Sequence, residues 1–235
     1  MRQRLWTNGL LALTLGGCGA GPAPGSGSGA GAPTATVDPA RFGLADGRCW
    51  RYALTPGGPV DLTLFVEADT TAVRGLTTYH VTMSDGLAHK VEWWLEPTSN
   101  DLLLHRRREV EPDDKGRDVD SYFIYRPAPV WLREGLATGV RIDSETTVTV
   151  TGARNGDEPA TVHLLSLGPA TVVAPGVTGD ATSFVVERDA AGKQLVDKVW
   201  FFPGVGIVKI DPFGADIGPR TLVESSVLAK GETCL

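Results

Sequence analysis

The sequence predicts an antiparallel all-β protein, and three observations lead to that prediction. Apolar and polar residues alternate with a period of two along several segments, which is the pattern of a half-buried strand. Turn sequences rich in glycine and proline separate those segments. No window of a dozen residues carries the i, i+3, i+4, i+7 spacing of an amphipathic helix. The 29 glycines and 16 prolines among 235 residues also disfavour a helix bundle, because both weaken helix interiors.

Residues 1–17 are expected to form a signal peptide. Arg2 and Arg4 precede a short apolar stretch from Leu5 to Leu15. This stretch is too short for a transmembrane helix, which needs roughly 20 apolar residues, and it suits the core of a secretory signal. The segment runs into Leu15-Gly16-Gly17-Cys18, where an aliphatic residue and two small residues precede a cysteine.

The Leu15-Gly16-Gly17-Cys18 motif resembles the lipobox of bacterial lipoproteins. The resemblance implies a diacylglycerol on the Cys18 thiol, cleavage before Cys18, and acylation of the new amino terminus. It also implies contact with the lipoprotein-processing and sorting machinery, and attachment to a membrane through this lipid anchor. Gly19 stands where an aspartate would retain a lipoprotein at the inner membrane, so we expect the cell envelope, and the outer membrane rather than the inner. A general secretory signal with an unrelated cysteine is the alternative.

Residues 18–39 are expected to be the lipidated cysteine followed by a flexible linker. Gly19 to Thr36 contains glycine, proline, serine, alanine and threonine but no charged or aromatic residue, so it cannot bury apolar surface. It is either a spacer that holds the domain away from the membrane or a disordered tail whose length has no function. Cleavage would remove Arg2 and Arg4 and no acid, changing the formal charge from −6 to −8. That charge argues against nucleic acid as a partner and leaves membrane attachment to the lipid.

Residues 40–235 are expected to form a single β-rich domain, because no second linker follows. The clearest alternating segments are residues 60–66, 79–83 and 91–95. Turns are expected at Asp85-Gly86, Asn155-Gly156, Gly168-Pro169 and Gly192. We expect Cys49 and Cys234 to form a disulfide, because two remaining thiols in an oxidising envelope usually pair. The bond would fasten the C-terminal strand beside the first strand; two free thiols are the alternative.

The sequence nominates no catalytic machinery. It contains no G-x-S-x-G, no G-x-x-x-x-G-K-[ST], no H-E-x-x-H and no C-x-x-C motif. We therefore expect no enzyme, no catalytic residue, no cofactor and no metal. His80 and His89 could approach each other across a hairpin with Asp85 in its turn, but polar strand and loop residues are the favoured interpretation. An unrecognised hydrolase stays a minor alternative, because geometry defines a catalytic triad.

The densest basic run, His105-Arg106-Arg107-Arg108, could meet phosphate or lipopolysaccharide. Four acids follow it closely, so the favoured interpretation is a strand end that runs into a solvated hairpin loop. The aromatic residues are more informative, because adjacent residues of a strand point to opposite faces of the sheet. Either both faces are covered, or one face lines a groove for an apolar ligand. Four residues are the candidate ligand contacts: Trp93, Trp131, Trp200 and Phe202.

The segment from Trp200 to Lys209 reads W-F-F-P-G-V-G-I-V-K and resembles a segment of uncharacterised bacterial envelope lipoproteins. The resemblance implies a curved antiparallel sheet similar to the half-barrels of LolA- and LolB-type lipoprotein carriers, with a β-sandwich as the alternative. Those carriers hold acyl chains on the concave face, usually under a lid of helices. This sequence contains no clear lid helix.

The sequence thus predicts a lipid-anchored envelope protein with a non-enzymatic β domain that binds an apolar ligand or lipid. The alternative is a structural or assembly lipoprotein that presents sheet edges or loops to another envelope protein.

Overall fold

The computed structural model describes residues 37–55, 57–73, 75–85, 90–112, 115–152, 155–190, 193–211 and 218–234, without the side chains of 111–112, 189–190 and 193–195. The expected signal peptide and Cys18, and all but the last residues of the expected linker, lie outside the described residues. The described residues belong to one compact unit, residues 35–235.

The described residues form thirteen strands and one short 3-10 helix, Pro39–Phe42. The strands are β1 (Arg48–Ala53), β2 (Val60–Asp69), β3 (Thr78–Ser84), β4 (Lys90–Pro97), β5 (Asp101–Pro112), β6 (Asp118–Arg126), β7 (Val130–Arg133), β8 (Arg141–Thr151), β9 (Gly156–Thr171), β10 (Asp180–Ala190), β11 (Lys193–Phe202), β12 (Gly206–Asp211) and β13 (Arg220–Val227). No helix in this part of the chain is long and apolar enough to cross a membrane.

Every strand pair among the described residues is antiparallel, which confirms the predicted all-β curved sheet. The sheet goes further than the expected half-barrel, because twelve strands close into a barrel. Neighbours in the barrel follow chain order, except that β6 is followed by β8 and that the first strand, β1, pairs with the last, β13. Strand β7 is a branch that pairs with the first residues of β5. Alternation alone cannot distinguish an open sheet from a closed one, since both have the same period.

A disulfide fastens the seam between β1 and β13. Cys49 on β1 is bonded to Cys234, seven residues after the end of β13, and their Cα atoms are 5.6 Å apart. This is the pairing that the sequence analysis expects. The bond spans 185 residues, so it closes almost the whole barrel into one covalent loop. In the chain-entropy model such a long loop gives a large stabilisation, on the order of 5 kcal/mol at most.

The interior of the barrel is filled at the end where the N-terminal segment enters. Trp50, Trp93 and Trp131 are each about 1% exposed, and the rings of Trp93 and Trp131 lie 6.0 Å apart. The alternating residues Leu62, Leu64 and Val66 also point inward, as their period of two predicts. An apolar cavity bordered by Trp50, Trp131 and Phe201 has a volume of about 10 Å³. That is room for roughly one water molecule.

The helix Pro39–Phe42 plugs this end of the barrel. Its Phe42 is 2% exposed and lies 5.9 Å from the ring of Phe201. The N–H of Gly204 donates to the carbonyl of Arg41 at 2.8 Å. Gly43, with φ of +72°, ends the helix against the backbone of Val205, where a Cβ atom would overlap the carbonyl. The point at which the chain enters the domain is therefore fixed by packing.

Two predicted local features differ in the structure. Gly168-Pro169 lies within β9 rather than at a turn, because the pairing of β9 with β10 shifts register beside it. The basic run lies within β5 rather than at a strand end, and Arg107 points into the barrel with 1% exposure. There it pairs with Glu109 and Asp197, and Arg188 also donates to Asp197. These partners offset the cost of burying two guanidinium groups.

Candidate functional site

The four aromatic residues proposed as ligand contacts do not share one surface. Trp93 and Trp131 pack together inside the barrel. Trp200 lies on the outer face, with the ammonium groups of Lys198 and Lys209 at 5.0 and 4.6 Å from its ring centre. Phe202 is half-buried and packs against the core. The 10 Å³ cavity beside Trp131 offers no room for an apolar ligand. Ligand binding by the four aromatic residues stays a prediction.

A different surface collects groups that can bind a ligand, on the outer face of β2 to β6. A row of paired residues crosses these strands: Glu67, His80, Trp94, Arg106 and Ile124. Each is opposite the next on the neighbouring strand, so their side chains lie side by side. Trp94 stands at the centre of the row.

Trp94 is held on three sides. The imidazole of His80 stacks on its ring, with 4.4 Å between centres and 11° between planes. The guanidinium of Arg106 lies 5.2 Å from the ring centre, within the range of a cation–π contact. The indole Nε1–H donates to Oδ2 of Asp69 at 3.1 Å. Trp94 is consequently only 7% exposed although it lies on the outer face.

Asp69 ties the loop after β2 to this surface. Its Oδ1 accepts from the N–H of Thr71 at 2.7 Å, the hydroxyl of Thr71 at 2.8 Å and the N–H of Ala72 at 3.0 Å. Burial raises the pKa of the carboxyl group, but the hydrogen bonds from Thr71, Ala72 and Trp94 outweigh it and lower the pKa to about 2. The carboxylate therefore links Thr71 and Ala72 to Trp94.

A β-bulge on β5 brings two basic side chains to the same face. Trp94 is paired with Arg106 and Leu95 with Leu104, so His105 is the extra residue between them. Leu104 points inward, yet His105 and Arg106 both face outward. His105 Nε2 lies 2.7 Å from Oε2 of Glu96. The same shift turns Arg107 into the core.

These features border an open cleft of about 430 Å³ on the outer surface. The loop after β2 forms one wall, and the end of β6 with the residues after it forms the other. Nine residues line it: Ala72, Val73, His105, Arg106, Ile124, Tyr125, Arg126, Pro127 and Ala128. Arg106 is half-buried and Arg126 is exposed. Neither has an ion-pair partner in the described part of the chain, which distinguishes this cleft from the surface beside it.

The neighbouring row of outer residues is saturated with ion pairs. Glu92 is 3% exposed and contacts Lys90 at 2.6 Å, Arg108 at 3.1 Å and His80 at 3.2 Å. Burial raises the pKa of Glu92, but hydrogen bonds from His80 and Lys90 and their charges lower it to about 2. Arg108 also forms two hydrogen bonds to Asp120. No cation in this row is left to receive an anion.

A second cavity of about 280 Å³ lies beside Cys234 on the outer face of β1 to β3. Its charged walls are already paired, since Arg51 contacts Glu224 and Asp61 contacts Arg220. No group of three or more potential metal ligands occurs among the described residues. His89, named in the sequence analysis, lies outside them.

The basic run is visible in the sequence, but this cleft is not. Arg126 is twenty residues from Arg106 along the chain, and only the pairing of β5 with β6 brings the two together. The bulge that separates Arg106 from Arg107 depends on pairing with β4 and leaves no local sequence signal. No family model, curated protein or solved structure matches this chain.

Proposed function

We propose that this chain is a lipid-anchored envelope protein whose barrel is a non-enzymatic binding module with its ligand site on the outer surface. The observation that carries the proposal is the cleft at Arg106 and Arg126, where two unpaired cations meet an apolar wall. The filled interior beside Trp93 and Trp131 favours this outer site over a buried one.

The lipid anchor is supported by the Leu15-Gly16-Gly17-Cys18 motif and by the way the domain receives its N-terminal segment. The plug at Phe42 and the disulfide from Cys49 fix the entry point of the chain. The anchored segment would therefore reach the domain at a defined point. The cleft and the plug lie at the same end of the barrel, bordered by loops that follow β2 and β6.

The cleft suits a ligand that has both an anionic and an apolar part, such as a lipid. Val73, Ile124 and Pro127 supply apolar walls. Open clefts with mostly apolar walls and a few placed polar groups are the usual form of small-molecule sites.

The second candidate function is assembly with another envelope protein through a loop. Val173, in the loop between β9 and β10, is 83% exposed, an unusual position for a large apolar residue. Because the barrel is closed, β7 is the one strand among the described residues that has a neighbour on one side only. Few strand edges are therefore open to a partner, and loops are the better docking elements.

The anchor is tested by comparing the wild-type chain with Cys18→Ser in a bacterial host that processes lipoproteins. We expect wild-type protein in the membrane fraction, with an N-terminal peptide carrying the mass of the acyl groups. Cys18→Ser should be released or should accumulate as precursor. Ser26→Ala, in the linker, is the control and should behave like wild type. Mature Cys18→Ser protein that stays in the membrane fraction would contradict the proposal.

A further inference from the structure

We propose that the cleft between Arg106 and Arg126 binds the phosphate group of a phosphate ester. The inference rests on the proposed function, since it names the ligand chemistry of the same site. The phosphate could belong to a lipid headgroup or to a soluble ester, and the two share the group that the cleft recognises.

The cleft is lined by two cationic side chains, those of Arg106 and Arg126. The chain carries a formal net charge of −6, and several nearby arginines are neutralised, as Arg108 is by Asp120 and Arg133 by Asp101. Arg106 and Arg126 have no carboxylate partner among the described residues. An unpaired cation is the normal state of a solvated surface residue, but two that line one cleft produce a local positive field. Such a field attracts anions within about a Debye length.

The acids close to the cleft are already engaged. Glu96 lies 2.7 Å from His105, which also lines the cleft. Asp69 accepts hydrogen bonds from the loop after β2 and from Trp94. Neither carboxylate forms an ion pair or a hydrogen bond with Arg106 or Arg126. Hydrogen-bond donors of both arginines are therefore available to a ligand.

The two arginines lie close enough together to contact one anion. Arg106 is paired with Ile124, and Arg126 is two residues further along β6 on the same face. Arg106 and Arg126 are thus diagonal neighbours across the β5–β6 pair, about 7–8 Å apart, a distance that two long side chains can bridge to one tetrahedral anion. The cation–π contact with Trp94 restricts the guanidinium of Arg106, so less side-chain entropy is lost on binding.

Phosphate is the anion that fits two arginine side chains best. The planar guanidinium presents paired N–H donors that match the spacing of phosphate oxygens. Two arginines on one cleft can share the oxygens of a phosphate, which carries more acceptor positions than a carboxylate. The apolar residues Val73, Ile124 and Pro127 leave space for the organic part of the ester within the 430 Å³ cleft.

The experiment uses the full-length Cys18→Ser chain, which carries no acyl anchor, and every variant is made in this same background, so that any binding by residues 1–18 is common to all samples. One arm titrates inorganic phosphate at low ionic strength and follows binding by calorimetry, with an affinity of roughly millimolar expected from two arginine contacts. The other arm measures co-sedimentation with phosphatidylcholine vesicles that contain or lack phosphatidylglycerol. Binding to phosphate and to the anionic vesicles identifies a lipid headgroup as the source; binding to phosphate alone identifies a soluble ester.

The variants are Arg106→Gln and Arg126→Gln, with Lys230→Gln as a control that removes one exposed positive charge elsewhere. Loss of one arginine contact should weaken phosphate binding by about tenfold or more. Arg126 is exposed, so its variant should keep the melting temperature of the parent chain. Absence of saturable phosphate binding would overturn the inference, as would equal weakening by Arg126→Gln and Lys230→Gln. Either result would leave the proposal of a lipid anchor standing, because that proposal is tested separately by fractionation.

Discussion

Arg107 of β5 and Asp197 of β11 form an ion pair inside the barrel, with 3.3 Å between Nη1 and Oδ2. The two strands are far apart in the order of the sheet, so the pair links distant parts of the barrel wall across its interior. The same Oδ2 accepts from Arg188 at 3.1 Å. Asp197 thus serves two buried guanidinium groups, of which Arg107 also pairs with Glu109.

We expect Asp197→Asn to destabilise the domain by about 3–5 kcal/mol, because it leaves two buried cations short of a counter-charge. Urea unfolding at neutral pH, followed by tryptophan fluorescence, measures the effect. The control is Glu224→Gln, which breaks the exposed pair with Arg51 and should cost less than about 1 kcal/mol. Similar losses of unfolding free energy in the two variants would show that the interior pair contributes no more to stability than the exposed pair.

The disulfide makes a second prediction. Replacing both cysteines, as Cys49→Ala with Cys234→Ala, should lower the free energy of unfolding by about 2–4 kcal/mol, since the bond constrains the unfolded chain. Urea unfolding with and without reductant measures the loss. Reductant should shift the wild-type transition and leave the double variant unchanged. A wild-type transition that is insensitive to reductant would mean that the two thiols are not paired.

The plug is tested by a pair of glycine variants that differ in their surroundings. Gly43 and Gly139 have similar φ angles of +72° and +77°. A Cβ atom at Gly43 would overlap the backbone of Val205, whereas one at Gly139 would have nothing within 4 Å. We expect Gly139→Ala to cost about 1–2 kcal/mol from backbone strain alone, and Gly43→Ala to cost clearly more. Equal costs in thermal unfolding would indicate that the plug does not press on the β11–β12 turn.

Much of the fold could be predicted from the sequence, because alternation reports on the faces of a strand. It placed Val60, Leu62, Leu64 and Val66 on one face; the structure buries the last three, and Val60 is half-buried where the pairing of β2 with β1 shifts register. Closure depends on the pairing of β1 with β13, which no local pattern encodes. The cleft was beyond prediction for the same reason: the bulge at His105 and the approach of Arg126 both arise from pairing between strands.

The hydrogen bonds that Asp69 accepts from the loop after β2 predict that the stability of the domain falls at acidic pH. The folded-state pKa of about 2 lies below the ordinary value of 3.8, so the ionised carboxyl group adds stability that is complete above the ordinary value. This contribution is lost as the pH falls through about 2. The difference in free energy of unfolding between wild type and Asp69→Asn should be constant above about pH 5 and shrink below pH 4.

Glu92, whose pKa is also about 2, is present in both of those proteins and cancels in the comparison. Amide exchange at Ala72 should be faster in Asp69→Asn than in wild type at neutral pH, because the variant loses the charged acceptor. A stability difference that does not change between pH 5 and pH 2 would contradict the role given to the Asp69 carboxylate.

The proposed ligand site lies on the outside of the barrel and not among the tryptophans inside it. The most direct measurement is a two-dimensional ¹H–¹⁵N spectrum of the protein titrated with hexyl phosphate, which carries both a phosphate and an apolar chain. We predict that the indole signal of Trp94 and the Nε–H signal of Arg106 shift with saturation, while the indole signals of Trp93 and Trp131 stay in place. Shifts at Trp93 and Trp131 without shifts at Trp94, or no shifts at all, would contradict the account.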